Sequence, residues 1–346
     1  MNERPDVVSR YLAQIAHLEI TTPDVPASVK FYTERFGLRV VDEVDGKVYL
    51  RAWGDYHRYS LIVAPGDEPG LAWMAWRTNS AEALDEAVAR VEAAGVTGEW
   101  NTGGPGHGRS YDFIGPYGHG TRLVWDIEQY QAPAELASSW VDRPERRSDK
   151  AGAPRFFDHV TVACRDPRGM ATWYSDVLGL RIMAYADLDE APITILAFLT
   201  TNEKSHDLGI VIDTSDRPGR INHVAFWLDT HEELLIAADV LMENGIPIEY
   251  GPSMHGIGEQ NFLYFREPSG LRIELNSGGY RNYVPDWEAK VWHPSTGASN
   301  IYRNSVMPKS MQDSFPHAEG GTGTEEGVSD EVKAALLDPA SKHGQG

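Results

Sequence analysis

The chain repeats itself, and the repeat limits what it can fold into more than any composition does. HLEITTPDVPASVKFYTERFGLRV begins at His17, and HVTVACRDPRGMATWYSDVLGLRI begins at His159. The offset, 159 minus 17, holds along the segment: Asp166 falls over Asp24, Tyr174 over Tyr32, and Gly179-Leu180-Arg181 over Gly37-Leu38-Arg39. A second pair follows at an offset of 150, with LAWMAWRTNSAEALDEAVARVEAAGV under INHVAFWLDTHEELLIAADVLMENGI and Gly95 under Gly245. Each copy reads as a strand, a capped helix with a glycine stop, and further strands. The last helix carries a capping box, Thr230 with Glu233. Repeats of this size are read before anything else, because they set the fold.

Four modules in two domains therefore make an α+β protein. The domains run from about 10 to 132 and from 154 to 280. Residues 133–153, rich in Pro, Ala and charge, read as a linker. Residues 281–346 form a C-terminal extension. Its GGYRNYVPDWEAKVWHP stretch is aromatic enough to fold over a site mouth or onto a neighbouring subunit, and from about residue 317 its composition predicts disorder.

A formal net charge of -20, with 51 acidic against 31 basic residues, repels phosphate backbones and anionic lipid. Nucleic-acid and membrane partners are not expected. No apolar run is long enough for a span, and the charged start MNERPDVVSR does not read as a signal peptide. A lone cysteine, Cys164, cannot form an internal disulfide and fits a cytoplasmic location.

Period-two reading of FFDHVTVAC puts His159 and Thr161 on one face and Val160, Val162 and Cys164 on the other. The same rule separates His223 from Val224, Phe226 and Leu228, and Glu274 from Leu271, Ile273 and Leu275. Two neutral imidazoles and one carboxylate on a common face make the facial triad of non-haem Fe(II) sites, which leaves coordination positions open. The repeat supplies an internal control. His159 corresponds to His17, but His223 corresponds to Trp73 and Glu274, anchored on EPSG against GPYG, to Arg122. Tryptophan ligates nothing and arginine stays protonated, so any metal site belongs to the second domain alone.

These residues resemble a family. The four-module layout is similar to the vicinal oxygen chelate fold, two domains of two repeated βαβββ modules each. The second half resembles the type I extradiol ring-cleavage dioxygenases, and specifically catechol 2,3-dioxygenases. The most specific stretch is HGIGEQNFLYFREPSGLRIE, where His255, Tyr264, the Pro-Ser-Gly turn and Glu274 fall at the family's spacing. The resemblance implies Fe(II), with Mn(II) as the alternative ion, on His159, His223 and Glu274. It also implies catalytic roles for His206, His255 and Tyr264: acid–base work beside dioxygen, orientation or proton exchange at the ring hydroxyl, and a hydrogen bond to a substrate oxygen. The substrate would be catechol or an alkyl-catechol, the co-substrate dioxygen, the product a 2-hydroxymuconic semialdehyde, and the assembly a homo-oligomer, a tetramer in the family. Read without the resemblance, His206 in the polar turn KSHD and His255 in its Gly-rich loop fit solvated histidines equally well, and Tyr264 fits ordinary core.

Departures from the family pattern bear on the substrate. Asn222 stands where a histidine often precedes the ligand, and Tyr250 stands where an arginine meets acidic side chains. A carboxylated catechol is disfavoured. The same fold also serves glyoxalase-like isomerases and ligand-sequestering proteins. A sequestering protein needs no proton-transfer groups around the metal, so His206, His255 and Tyr264 are surplus to it. An isomerase usually draws ligands from both modules, with an additional carboxylate in the His159 strand or its partner, where Thr161 and Ala163 offer none.

Overall fold

The computed structural model describes residues 9–215 and 217–317. The disorder expected from about residue 317 lies outside the described residues. The first module comprises β1 (Leu12–Thr22), α1 (Val25–Lys30), β2 (Arg39–Val44), β3 (Lys47–Arg51) and β4 (Leu61–Pro65). The second comprises β5 (Gly70–Thr78), α2 (Ala81–Ala93), β6 (Gly98–Asn101), β7 (Ser110–Ile114) and β8 (Gly120–Val124). The third has β9 (Phe156–Cys164), α3 (Pro167–Leu178), β10 (Arg181–Asp187), β11 (Thr194–Thr200) and β12 (Leu208–Ile212). The fourth has β13 (Arg220–Trp227), α4 (His231–Glu243), β14 (Ile248–Met254), β15 (Gln260–Arg266) and β16 (Arg272–Gly278). All four are βαβββ units. A short strand, β17 (Lys290–Trp292), follows.

Local chemistry sets the helix ends. Asp166 caps α3 by accepting from the Gly169 amide, and Gly179 stops it in the left-handed region at φ 71°. The capping box of Thr230 and Glu233 is formed at α4. The first helix differs from its repeat: α1 has six residues and passes into a π-helical turn over Phe31–Arg35. No helix among the described residues is long and apolar enough to cross a membrane.

The strands form an eight-stranded sheet, β2-β3-β4-β1-β5-β8-β7-β6, and a nine-stranded sheet, β14-β15-β16-β13-β9-β12-β11-β10-β17. In each, the first strands of two modules pair antiparallel at the centre, β1 with β5 and β9 with β13. Val160, Val162, Cys164, Val224 and Phe226 join the core on one face of the second sheet, while His159, Thr161 and His223 line a cavity on the other.

Strict alternation fails at two places that matter. Between β9 and β13 the register slips twice: Ile221↔Val162 is followed by His223↔Thr161, and Ala225↔His159 by Phe226↔Phe157. Asn222 and Asp158 are the unpaired residues of these two bulges, each immediately before a cavity histidine. The first sheet keeps both slips, but there the extra residues are Ala16 and Ala72.

The extension folds back on its own chain. β17 adds to β10 in parallel, and Trp287 Nε1 donates to the Met183 carbonyl at 2.9 Å. The 133–153 segment is tied down by Glu145, which is fully buried and ion-paired with Arg39 and Arg51. One hydrophobic core runs through both sheets. Phe36 of the first half meets Phe226 edge-on at 5.1 Å and lies 6.0 Å from Phe265, both of the second half. Truncating a buried Phe costs about 3–5 kcal/mol through lost transfer energy and the cavity left behind. Phe36→Ala is therefore expected to lose about that much in urea denaturation followed by fluorescence; a loss below about 1 kcal/mol would mean the two halves do not share this core.

Candidate active site

Three strands at the centre of the second sheet each contribute one atom to a single point. β9 supplies His159, β13 supplies His223 and β16 supplies Glu274, all buried. Their ligand-type atoms lie within 4.8 Å of one another. His159 Nε2 is 3.3 Å from His223 Nε2 and 3.3 Å from Glu274 Oε2, and His223 Nε2 is 3.0 Å from the same oxygen.

The outer nitrogens decide what faces inward. His159 Nδ1 lies 2.8 Å from Asp158 Oδ2, and His223 Nδ1 lies 2.8 Å from Asn222 Oδ1. Both partners are oxygens that only accept here, so each Nδ1 carries the proton and each neutral ring turns its Nε2 lone pair inward. Three lone-pair atoms about 3 Å apart repel unless something positive sits among them. Around one ion with bonds of about 2.1 Å, adjacent donors stand at about this spacing.

Charge points the same way. The buried carboxylates of Asp158 and Asp207 share one ammonium, Lys204, at 2.9 Å and 3.2 Å, and Glu274 adds a third buried carboxylate to the site. Three negative groups against one positive leave a deficit that a divalent cation matches. In the absence of an ion a proton takes part of that place. Burial alone would lower the His159 pKa, but the hydrogen bonds and charges of Asp158 and Glu274 raise it to about 9. Burial outweighs Glu274 at His223 and lowers it to about 4. Glu274 is held well below the usual carboxylate range: burial would raise it, and the hydrogen bonds and charges of His159 and His223 overcome that. The donor set fits a divalent metal.

His206, His255 and Tyr264 all border the same cavity. His206 is not a solvated loop residue. It is 2% exposed, stacked on Phe198 at 3.8 Å, and its ring centre is 4.1 Å from that of His159. Burial, then the His159 charge, lowers its pKa well below 6.5 and keeps it neutral. His255 Nδ1 lies 2.6 Å from the Ser299 carbonyl and donates to it, so Nε2 accepts from the Tyr264 hydroxyl at 2.9 Å. Burial and Glu274 raise the Tyr264 pKa well above 10 and keep the phenol protonated. Tyr250 lies behind this group, with its hydroxyl 3.2 Å from Ser299 Oγ.

The cavity encloses about 170 Å³, near the size of an engineered apolar cavity that admits one benzene ring. Its outer wall is apolar, with Ile195, Leu196, Val211, Pro294, Met307 and Met311, and among the described residues no lysine or arginine lines it. Gly209 leaves room for Thr161, which lines the cavity, since a Cβ there would stand 2.3 Å from Thr161 Oγ1. Sequence reasoning missed Asp158, Lys204, Gln260 and Asn276. The last two donate to Asp158 Oδ2 at 3.2 and 3.0 Å. The Asp-His and Asn-His dipeptides were the available signal, hidden by the assumption of unbroken alternation.

The first sheet shows the same frame without the donors. His17 pairs in register with Ala75, and Ala75 with Arg122, just as His159 pairs with Ala225 and Ala225 with Glu274. Arg122 donates to Asp112 through Nε at 2.8 Å and Nη2 at 2.5 Å, and its guanidinium lies over Trp73.

Comparison with known proteins agrees with this geometry. The model of the Glyoxalase/Bleomycin resistance protein/Dioxygenase superfamily matches residues 14–123 and 156–275. A manganese-dependent 2,3-dihydroxybiphenyl 1,2-dioxygenase of Geobacillus genomosp. 3 is 34% identical over 81% of this chain and 90% of its own length. A metapyrocatechase of Geobacillus stearothermophilus is 29% identical over 81% of this chain and 86% of its own. Homoprotocatechuate 2,3-dioxygenase from Arthrobacter globiformis superposes with a TM-score of 0.76 at 26% identity, over 88% of this chain and 92% of that one. The chain belongs to the Glyoxalase/Bleomycin resistance protein/Dioxygenase superfamily, on its extradiol dioxygenase branch.

Proposed function

We propose that the protein opens the ring of catechol or an alkyl-catechol beside the diol, consuming one dioxygen and releasing a 2-hydroxymuconic semialdehyde. The carbon–carbon bond next to one hydroxyl-bearing carbon breaks. Both oxygen atoms enter the product, and the ring supplies the four electrons that reduce them. The observation that carries this reading is the convergence of a buried His-His-Glu set, His206 and the Tyr264–His255 pair on one ring-sized cavity with no lysine or arginine among the described residues of its lining.

His159, His223 and Glu274 would hold Fe(II) or Mn(II). Held there, such an ion would supply Lewis-acid activation of the diol and a route for electrons from the ring to dioxygen. The chain's own groups handle protons. His206, neutral and enclosed beside His159, is the acid–base residue on the dioxygen side. Tyr264 keeps its proton and donates a hydrogen bond, to His255 at rest or to a diol oxygen in its place. His255 is anchored by Ser299 and orients that phenol. The Phe198, Ile195 and Met311 walls exclude water and grip the ring faces.

A second reading, an aryl-substituted catechol, is favoured by the biphenyl diol named in the 34% identical relative. A sequestering role is disfavoured because it leaves the three proton-handling side chains without a use, and an isomerase because Thr161 and Ala163 offer no further carboxylate ligand on the His159 strand.

Three outcomes test the proposal. Protein loaded anaerobically with Fe(II) is expected to consume one oxygen per catechol in an oxygen electrode and form a yellow product. A colourless muconate, or no uptake with any simple catechol, would sink it. His206→Asn is expected to lower kcat about a hundredfold, the scale of general acid–base catalysis, with metal content unchanged; full-rate turnover would transfer the proton role elsewhere. Ion binding is also pH-linked. His159 is protonated below about 9 and His223 neutral above about 4, so between these values each Mn(II) bound displaces about one proton. Affinity then falls about tenfold per pH unit on acidification across that range, and ceases to rise above about 9. Calorimetry in buffers of different ionisation enthalpy reads the proton count directly; zero protons released at pH 7 would contradict the assignment.

A further inference from the structure

We infer that Asn222 is a positioning residue for His223, and that the C-terminal strap, residues 310–315, sets the orientation of Asn222. The inference rests on the reading of His223 as a metal ligand. Asn222 Nδ2 donates to two strap carbonyls, Met311 at 3.1 Å and Asp313 at 3.0 Å. Carbonyls only accept, so the amide nitrogen must face the strap and Oδ1 must face His223 Nδ1. A turned amide would oppose oxygen to both carbonyls and NH2 to the imidazole N–H. The strap thereby fixes the tautomer that points the His223 Nε2 lone pair at Glu274.

The strap is built to hold that position. Ile221 and Phe315 exchange backbone hydrogen bonds at 2.8 and 2.6 Å. Arg272 Nη1 bridges the two sides, donating to the Asn222 carbonyl at 3.0 Å and the Asp313 carbonyl at 2.9 Å. Phe315 is fully buried. Meanwhile Met311 and Gln312 face the cavity. One segment therefore forms a wall of the substrate pocket and a support of a ligand.

The repeat separates this role from a demand of the sheet. The first sheet keeps the same bulge with Ala72 as its extra residue, before Trp73. Bulge geometry accepts alanine, and the amide is present only where the next residue is a histidine. His159 has a different support, since Asp158 offers a carboxylate that accepts from Nδ1 in either rotation. Asn222 has only one correct rotation, which makes it sensitive to the strap.

The test measures Mn(II) affinity of the full-length chain by calorimetry, together with hydrogen exchange at the Ile221 and Phe315 amides. Asn222→Ala is expected to weaken Mn(II) binding tenfold to hundredfold, the scale for lost outer hydrogen bonds to a ligand. Phe315→Ala is expected to weaken it as well and to speed exchange at Ile221. The two effects are expected not to multiply, because both act through one hydrogen bond. In an Asn222→Asp background either carboxylate oxygen accepts from His223, so Phe315→Ala is expected to leave Mn(II) affinity unchanged. Wild-type affinity in Asn222→Ala would overturn the inference, and so would the same Phe315→Ala effect in the Asn222 and Asn222→Asp backgrounds. If Phe315→Ala does not fold, the comparison of Asn222→Ala with Asn222→Asp decides alone: equal losses would overturn it. A failure of the ligand reading itself shows separately, as a His223→Ala chain that still binds Mn(II) with wild-type affinity.

Discussion

A neutral imidazole has one proton and one lone pair, and committing the proton to one side commits the lone pair to the other. At His159 and His223 the outer nitrogens are committed, to Asp158 and to Asn222. Both lone pairs then converge on the Glu274 carboxylate inside a buried wall. Such an arrangement is unfavourable without a positive charge at its centre. The surrounding architecture supports this one convergence. Lys204 restrains Asp158, Gln260 and Asn276 donate to it, and the bulges turn consecutive residues of a strand toward the same site.

The duplicated frame meets the same position twice and resolves it differently. In the second sheet three donors converge on one point. In the first, Arg122 brings its own positive charge to the register position of Glu274, and Asp112 neutralises it from the register position of Tyr264. His17 remains, but burial and then the Arg122 charge lower its pKa well below 6.5, and its Nδ1 has no hydrogen-bond partner. Tyr59 meets its ring edge-on at 4.6 Å, in the manner His206 flanks His159. The βαβββ pair is thus one frame that accommodates either set of side chains. What differs is the side chains on its inner face and the two bulge residues, alanines in one sheet and Asp158 and Asn222 in the other.

Much of this was legible before any coordinates. The repeat offsets located the four modules, the Asp166 and Thr230 caps located helices, and period two put His159, His223 and Glu274 on the face opposite Val160, Val224 and Ile273. Trp73 and Arg122 set the first sheet's inner face apart from that of the second. What stayed hidden has physical reasons. A bulge shifts the alternation by one residue, and nothing in the letters of DHV or NHV marks it. His206 sits in a polar string, yet Lys204 is drawn inward by Asp158, Asp207 pairs with Lys204, and Phe198 stacks over the ring. The strap makes its decisive contacts through backbone carbonyls, which every residue carries, so no side-chain pattern announces it.

The account stands or falls on where the ion sits. Crystals soaked in Mn(II) and measured for anomalous scattering at the manganese edge would locate it without reference to activity. One peak per chain is predicted, within bonding distance of His159 Nε2, His223 Nε2 and Glu274 Oε2, with no peak beside His17 and Arg122. A peak in the first sheet, or an ion in the second held by other residues while this trio stays empty, would contradict it.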